Sequence, residues 1–296
     1  MATSLEIRKK IQAIGNSGKI TKAMQLVASS KMRYFQKKAL SARDYAFDLL
    51  MTLQQHMGQD HKSIFTTTRQ TGPSLFVIYT SDKGLCGALN SQLLRRLFKS
   101  DQWLKKSKKD RLLMTIGRKS SEYARINKIK VEKHFHGIKE KLTILDALPI
   151  LDEIMKYWQN GKCKEVIFVA PHYKNTFVSY PVLKTFLPFS EKMILTHMVD
   201  RSHESLLPKP SPYMLYEPTK ERILDVLFMQ IIESLFIESF FELKAAEYSS
   251  RMIAMQNATD AANKIVKNLK LSYNKIRQQT ITQELAELIG GSEAIS

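Results

Sequence analysis

From Tyr248 to Thr280 the apolar and small residues return in alternating steps of four and three: Tyr248, Met252, Met255, Thr259, Ala262, Val266, Leu269, Tyr273, Ile276, Thr280. That spacing is the seam of a helix that coils around another helix. The seam is thin, because Thr259, Ala262 and Thr280 stand where Leu or Ile would bury more surface. A stripe at the same spacing opens the chain: Ile7, Ile11, Ile14, Gly18, Thr21, Ala28, Met32, Phe35 and Ala39, with Gln25 as a polar interruption. Small residues in one stripe can face small residues in the other. The spacing therefore predicts a long antiparallel two-helix coiled coil, with Gly15-Asn16-Ser17-Gly18 as a soft point in its first strand.

Helix breakers mark where these arms end. All nine prolines fall between Pro73 and Pro218. A proline costs on the order of 3 kcal/mol inside a helix, so two proline-free ends around a proline-bearing middle read as helix, domain, helix. Thr219 is placed to cap the second arm, and Gly290-Gly291 to stop it. One helix over 219–289 would be roughly 105 Å long and would need a companion along its length.

The middle alternates strand and helix. Strands are expected at 75–80, 112–117, 130–135, 164–170 and within 175–187, with helices near 88–99, from 119, and over 144–159. This predicts a Rossmann-like, mostly parallel α/β domain. The expected division is an N-terminal coiled-coil helix over 1–60, a central α/β domain over 73–190, a Pro-rich connection over 191–218 and a C-terminal coiled-coil helix over 219–296.

Charge separates the arms. The net charge is +18. Residues 1–50 hold 10 Lys and Arg against 3 acids, whereas 217–296 hold 9 against 11. The first arm is basic and the second slightly acidic, so the arms attract each other. A basic chain also suggests an anionic partner, nucleic acid among the options. The basic residues of the middle are scattered, however, and lack interleaved aromatic residues. Every long apolar stretch is broken by charge or amide, so no transmembrane span is expected. The opening residues lack the apolar core of a secretory signal, which implies no route out of the cytoplasm if Met1 is the natural start. Two distant cysteines, Cys86 and Cys163, fit a reducing compartment and form no metal-ligand pair.

Catalytic chemistry is hard to find. The turn Ser81-Asp-Lys-Gly-Leu-Cys-Gly87 follows the first strand, where a phosphate or nucleophile could sit. It has neither G-x-G-x-x-G nor the G-K-[ST] ending of a P-loop. Cys86 has no recognisable base around it, so Gly84, Cys86 and Gly87 read as a tight structural turn with a buried thiol. His134 and His136 alternate on a strand but are too few for a metal site and read as surface residues. No catalytic, cofactor or metal residue is assigned.

Several motifs together carry a resemblance. Ile20-Thr-Lys-Ala-Met24, Val27-Ala-Ser-Ser-Lys-Met32, the turn at 81–87, Ser250-Arg-Met-Ile-Ala-Met-Gln-Asn-Ala-Thr-Asp260 and Tyr273-Asn-Lys-Ile-Arg-Gln-Gln-Thr-Ile-Thr-Gln-Glu-Leu285 resemble the gamma subunit of bacterial F-type ATP synthases, in the expected order along nearly the whole chain. The resemblance implies a central rotor shaft that binds no ATP itself. Its implied partners are the alpha and beta subunits of the catalytic hexamer, the epsilon subunit and the ring of c subunits, with no nucleic acid and no cofactor. It implies a peripheral place on the cytoplasmic face of the bacterial inner membrane, coupling proton flow to ATP synthesis or hydrolysis. It implies hexamer contacts at Lys19, Lys22, Met24, Arg277, Gln278, Thr282 and Glu284. The chain departs from the family pattern at Ala261, where asparagine is usual, at Gln279, where alanine is usual, and at Gly290-Gly291. It lacks the cysteine-bearing insertion of chloroplast members, and no transit peptide precedes the first motif.

Overall fold

The computed structural model of the chain describes residues 4–56, 63–139, 143–189, 216–217 and 219–293. Most of the expected Pro-rich connection over 191–218 lies outside them. Six helices and five strands are described: α1 Ser4–His56, β1 Ser74–Tyr79, α2 Leu89–Phe98, α3 Asp101–Leu104, β2 Arg111–Ile116, α4 Arg118–Ile126, β3 Lys133–Phe135, α5 Ile144–Gln159, β4 Glu165–Tyr173, β5 Ser179–Leu187 and α6 Lys220–Glu293. The chain divides into two compact units, Met1–Ser29 with Arg251–Ser296, and Ser30–Ser250.

The larger unit is built on a sheet of order β3-β2-β1-β4-β5, in which β5 alone runs antiparallel. Every residue of β1 is buried, as expected of a central strand covered on both faces. Its alternation splits the core. Phe76 and Ile78 pack with Leu94, Leu97, Trp103, Leu113 and Ala124 under α2, α3 and α4. Tyr79 points the other way, 5.6 Å from the ring of Phe236 on α6, with Phe168 of β4 against both. Phe35 of α1 stacks on Tyr248 of α6 at 5.6 Å, joining the two helices within this unit.

Several elements differ from the sequence reading, β4 among them, which runs on to Tyr173. β3 holds only three residues, because the chain before it is occupied by Ile129 and Val131 packing into the core beneath α2 and α3. α3 was not expected; Ser100 caps it by accepting from the Trp103 amide at 3.2 Å. Thr219 caps α6 as expected, accepting from the Arg222 amide at 3.3 Å. The glycine stop is overturned, since α6 runs through Gly290-Gly291 to Glu293. Glycine costs a helix only about 1 kcal/mol per residue and does not by itself end one.

In the smaller unit α1 and α6 pair antiparallel. Gly18 meets Ala262, where an added Cβ would lie 3.3 Å from the alanine methyl. The Thr21 and Thr259 hydroxyls are 2.8 Å apart, and Gln25 donates to Gln256. Every residue of the N-terminal stripe is buried or half-buried. The C-terminal seam is likewise covered from Tyr248 to Ile276, but Thr280 is exposed and is not a seam position. The register explains the correction: carried back to Ser4, it reaches Ile276, and α1 has no described residue left to cover α6 beyond that point.

Candidate interaction surfaces

The turn after β1 is where an α/β domain of this type would place a ligand. Beside that turn, the chain itself fills the start of α4, the helix after β2. The first three amides of α4 are all taken: Arg118 donates to the Asp82 carboxylate at 2.9 Å, Lys119 to the Ser81 carbonyl at 3.3 Å, and Ser120 to the Thr80 hydroxyl at 2.9 Å. Asp82 also accepts from the Gly137 amide at 3.2 Å. A helix N-terminus that would attract a phosphate therefore holds a carboxylate of its own chain. Gly117 makes this approach possible. Its φ is +95°, and a Cβ there would lie 2.0 Å from the Thr80 carbonyl oxygen.

The turn itself is knitted shut. Asn90 accepts from the Ser81 amide at 3.0 Å and donates to the Ser81 hydroxyl at 2.8 Å and the Cys86 sulfur at 3.2 Å. The Cys86 carbonyl accepts from the Ser250 hydroxyl at 2.7 Å. Cys86 is buried. A side chain at Gly84 would meet nothing, whereas Gly87 and Leu85 hold left-handed conformations. The other thiol, Cys163, is buried too, and burial pushes it up to about 11 against the pull of Arg69. His134 and His136 stack on an exposed edge at 5.6 Å. Among the described residues no group of three or more His, Cys, Asp or Glu side chains could hold a metal ion.

A buried charge network joins the helices of the larger unit. Arg43 on α1 donates from Nε to Glu238 at 3.1 Å and from Nη2 to Glu242, both on α6. His172 Nδ1 lies 3.3 Å from Glu242. Burial, then the neighbouring Glu242, pushes the Glu238 carboxyl above its ordinary range. Burial acts on Glu242 in the same direction, but the His172 hydrogen bond and the charges of Lys184, His172 and Arg43 outweigh it and hold Glu242 below its ordinary range.

The expected contact residues lie in the smaller unit. Lys19 and Lys22 are exposed, with Lys22 donating to Gln25 at 3.1 Å, and Met24 is half-buried beside the seam. Arg277, Gln278, Thr282 and Glu284 are all exposed, on the part of α6 beyond the reach of α1. The structure adds residues that the spacing of the seam left out. Ile20 and Val27 are exposed at helical spacing on either side of Met24. Ile281, Leu285, Leu288 and Ile289 form an exposed apolar strip along the end of α6. Their spacing was visible in the sequence. It fell outside the seam.

Similarity to known proteins agrees with this layout. A family model described as ATP synthase matches residues 3–295. The gamma chain of Symbiobacterium thermophilum ATP synthase is 33% identical over 293 residues, covering 98% of this chain and 97% of that one. The chain belongs to the ATP synthase gamma-chain family. The gamma chain of Buchnera aphidicola subsp. Diuraphis noxia is 34% identical over 300 residues, covering 100% of this chain and 99% of its own length. A chain in the central stalk and c-ring structure of Tetrahymena thermophila mitochondrial ATP synthase is 25% identical, with a TM-score of 0.59 over 81% of this chain and 99% of that one. A rotor chain of the Euglena gracilis enzyme shares the fold at 16% identity, with a TM-score of 0.66 over 94% of this chain and 98% of its own. As a gamma chain, this protein is the central-stalk rotor subunit, a non-catalytic member of its complex.

Proposed function

We propose that this chain turns inside a hexamer of alpha and beta subunits and carries the rotation of a c-ring to their catalytic sites, with epsilon beside it. The observation that carries this reading is the outer surface of the smaller unit. Its paired helices bury a thin polar seam and leave Ile20, Val27 and the strip from Ile281 to Ile289 uncovered. A chain that leaves such strips bare needs a partner around it. Lys19, Lys22, Met24, Arg277, Gln278, Thr282 and Glu284 are assigned to that contact, the cations meeting acidic loops of the hexamer. Residues 1–60, 73–190, 191–218 and 219–296 are assigned as shaft helix, α/β foot, connection and shaft helix.

The chain contributes no active site of its own in this reading, and the first three amides of α4 are bonded to Asp82, Ser81 and Thr80. Proton translocation belongs to the complex, on the cytoplasmic face of a bacterial inner membrane. Among the described residues no helix is long and apolar enough to cross a membrane, which fits a peripheral attachment.

The test is reconstitution of the complex around Ile281→Ser/Leu285→Ser. Both residues are exposed, so the isolated chain should keep its unfolding midpoint. ATP-driven proton pumping by the complex should fall at least tenfold. Unchanged pumping would overturn the assignment of this strip, and steeply salt-dependent duplex binding by the chain would favour a nucleic-acid role instead.

A further inference from the structure

The α/β foot carries a surface that the rotor reading leaves unused. Strands β1, β2 and β3 run parallel, so the connection from α2 through α3 into β2 and the connection from α4 into β3 both return to the edge formed by the beginnings of those strands. Aromatic contacts hold the two connections side by side. Phe98 lies 5.0 Å from Trp103 and stacks on Tyr123 at 5.0 Å, while Ile129 and Val131 pack into the cluster behind them.

On this edge two aliphatic side chains stand in the open, Leu104 at 61% exposure and Ile126 at 74%. Both are flanked in sequence by cations. Residues 99–110 hold five lysines against two aspartates, and residues 125–133 hold four Lys and Arg against one glutamate. Lys105 and Lys130 are ion-paired with Asp101 and Glu132, while Lys108, Lys109, Arg125 and Lys128 are exposed.

Lys128 adds a conformational observation. It ends α4 in the left-handed region, at φ +53°, with its amide on the Arg125 carbonyl at 3.2 Å and the next amide on Ala124 at 2.9 Å. This is the closing turn in which glycine is the usual residue. A side chain there is strained by the approach of its Cβ to the following carbonyl oxygen. The chain keeps a charge where glycine would be less strained, beside the most exposed isoleucine among the described residues.

We propose that this edge is an interaction surface for anionic phospholipid. Lysine and arginine gather the headgroups, and Leu104 and Ile126 enter the boundary between headgroup and acyl chain. An acidic protein would use the cations but would not call for two bare aliphatic tips standing apart among them. This surface is remote in sequence from the assigned hexamer contacts, and its vesicle binding is measured on the chain alone.

The full chain is sedimented with vesicles of phosphatidylcholine alone and of phosphatidylcholine with about a third phosphatidylglycerol. A chain of this net charge will favour the anionic vesicles in any case, so the comparison is between two variants of equal charge change. Lys108→Glu/Lys109→Glu/Lys128→Glu should bind at least a hundredfold more weakly, each lysine being worth about fivefold. Lys264→Glu/Lys267→Glu/Lys270→Glu, on α6 in the smaller unit, should bind within about threefold of the unaltered chain. Measured against the unaltered chain, Leu104→Trp should add a blue shift in emission on anionic vesicles and none on neutral ones. Equal losses in the two charge variants, or no added shift from the introduced indole, would overturn the proposal. So would retention of vesicle binding by the first variant, with loss only of capture by an acidic protein. ATP-driven pumping by the complex built on the first variant separates this surface from the rotor role, since failure of one leaves the other standing.

Discussion

Replacing Arg43 by Met keeps most of the side-chain volume and removes the cation that α1 brings to Glu238 and Glu242. Both carboxylates are nearly enclosed, with side-chain exposures of 9% and 4%, while Arg43 itself is 28% exposed. Two charge-assisted hydrogen bonds are lost, and two acids are left together in a low-dielectric site. Breaking a buried pair by deleting one partner costs about 3–5 kcal/mol. The open side of Arg43 lets water reach the gap, so the expected loss is at the lower end, about 3 kcal/mol. The cost should depend on pH with a definite sign. Glu238 is already raised, so it gives stability below the ordinary glutamate value of about 4.3 and loses it as pH rises through its own higher one. Glu242 is depressed and acts oppositely, giving stability above the ordinary value and losing it as pH falls through its own lower one. Without Arg43 both carboxyls shift upward, so the deficit of the variant should be larger at about pH 8 than at about pH 5. Urea unfolding followed by circular dichroism at both pH values measures it, with hydrogen exchange around residues 39–47 reporting locally. A loss under about 0.5 kcal/mol, the size of a surface substitution, or a deficit that shrinks as pH rises, would refute the reasoning.

Other outcomes rest on single contacts. Gly117→Ala places a methyl 2.0 Å from the Thr80 carbonyl at a φ of +95°, so it should cost more than about 3 kcal/mol and sharply reduce soluble yield, whereas Gly84→Ala should be neutral. Gly18→Leu cannot fit against Ala262 and should open the pair, costing about 1–3 kcal/mol and speeding hydrogen exchange near residues 14–22. With Cys163 raised to about 11, its thiolate fraction at neutral pH is about one in ten thousand, so a thiol reagent should label it only after unfolding. Prompt labelling of the Cys86→Ser variant in native buffer would contradict that burial.

The long elements were legible because their signal is long. An alternation of four and three over ten positions names its own helix, and the proline-free ends let that helix run uninterrupted. β1, α2 and α5 also stand where apolar runs and turn residues put them. What failed to show was set by neighbours. Thr280 keeps the seam spacing but meets no described residue of α1, a fact of register that neither stripe contains. β3 is short because Ile129 and Val131 are needed elsewhere. The closure of the turn by Asp82 depends on Gly137, 55 residues away, meeting the same carboxylate. The Arg43 network was invisible for a similar reason: Glu238 and Glu242 read as charges that merely interrupt a greasy stretch, and only tertiary pairing shows them buried. The bare strip from Ile281 to Ile289 was present as spacing, but its meaning lay in a surface that no other described part of the chain covers.

Among the described residues of the smaller unit the pairing of α1 with α6 reaches Ile276, and past it α6 continues without a companion. Two helices bonded along their sides resist bending and twisting far more than one, because stiffness rises steeply with cross-section. The smaller unit is therefore a stiff bar with a compliant end. Turned from the paired part, the end past Ile276 will follow with a lag and blur its own angle under load. Angular information is sharp only along the double stretch, beside Lys19, Lys22 and Met24. The single strand beyond is suited to a bearing, which must stay centred but need not keep time.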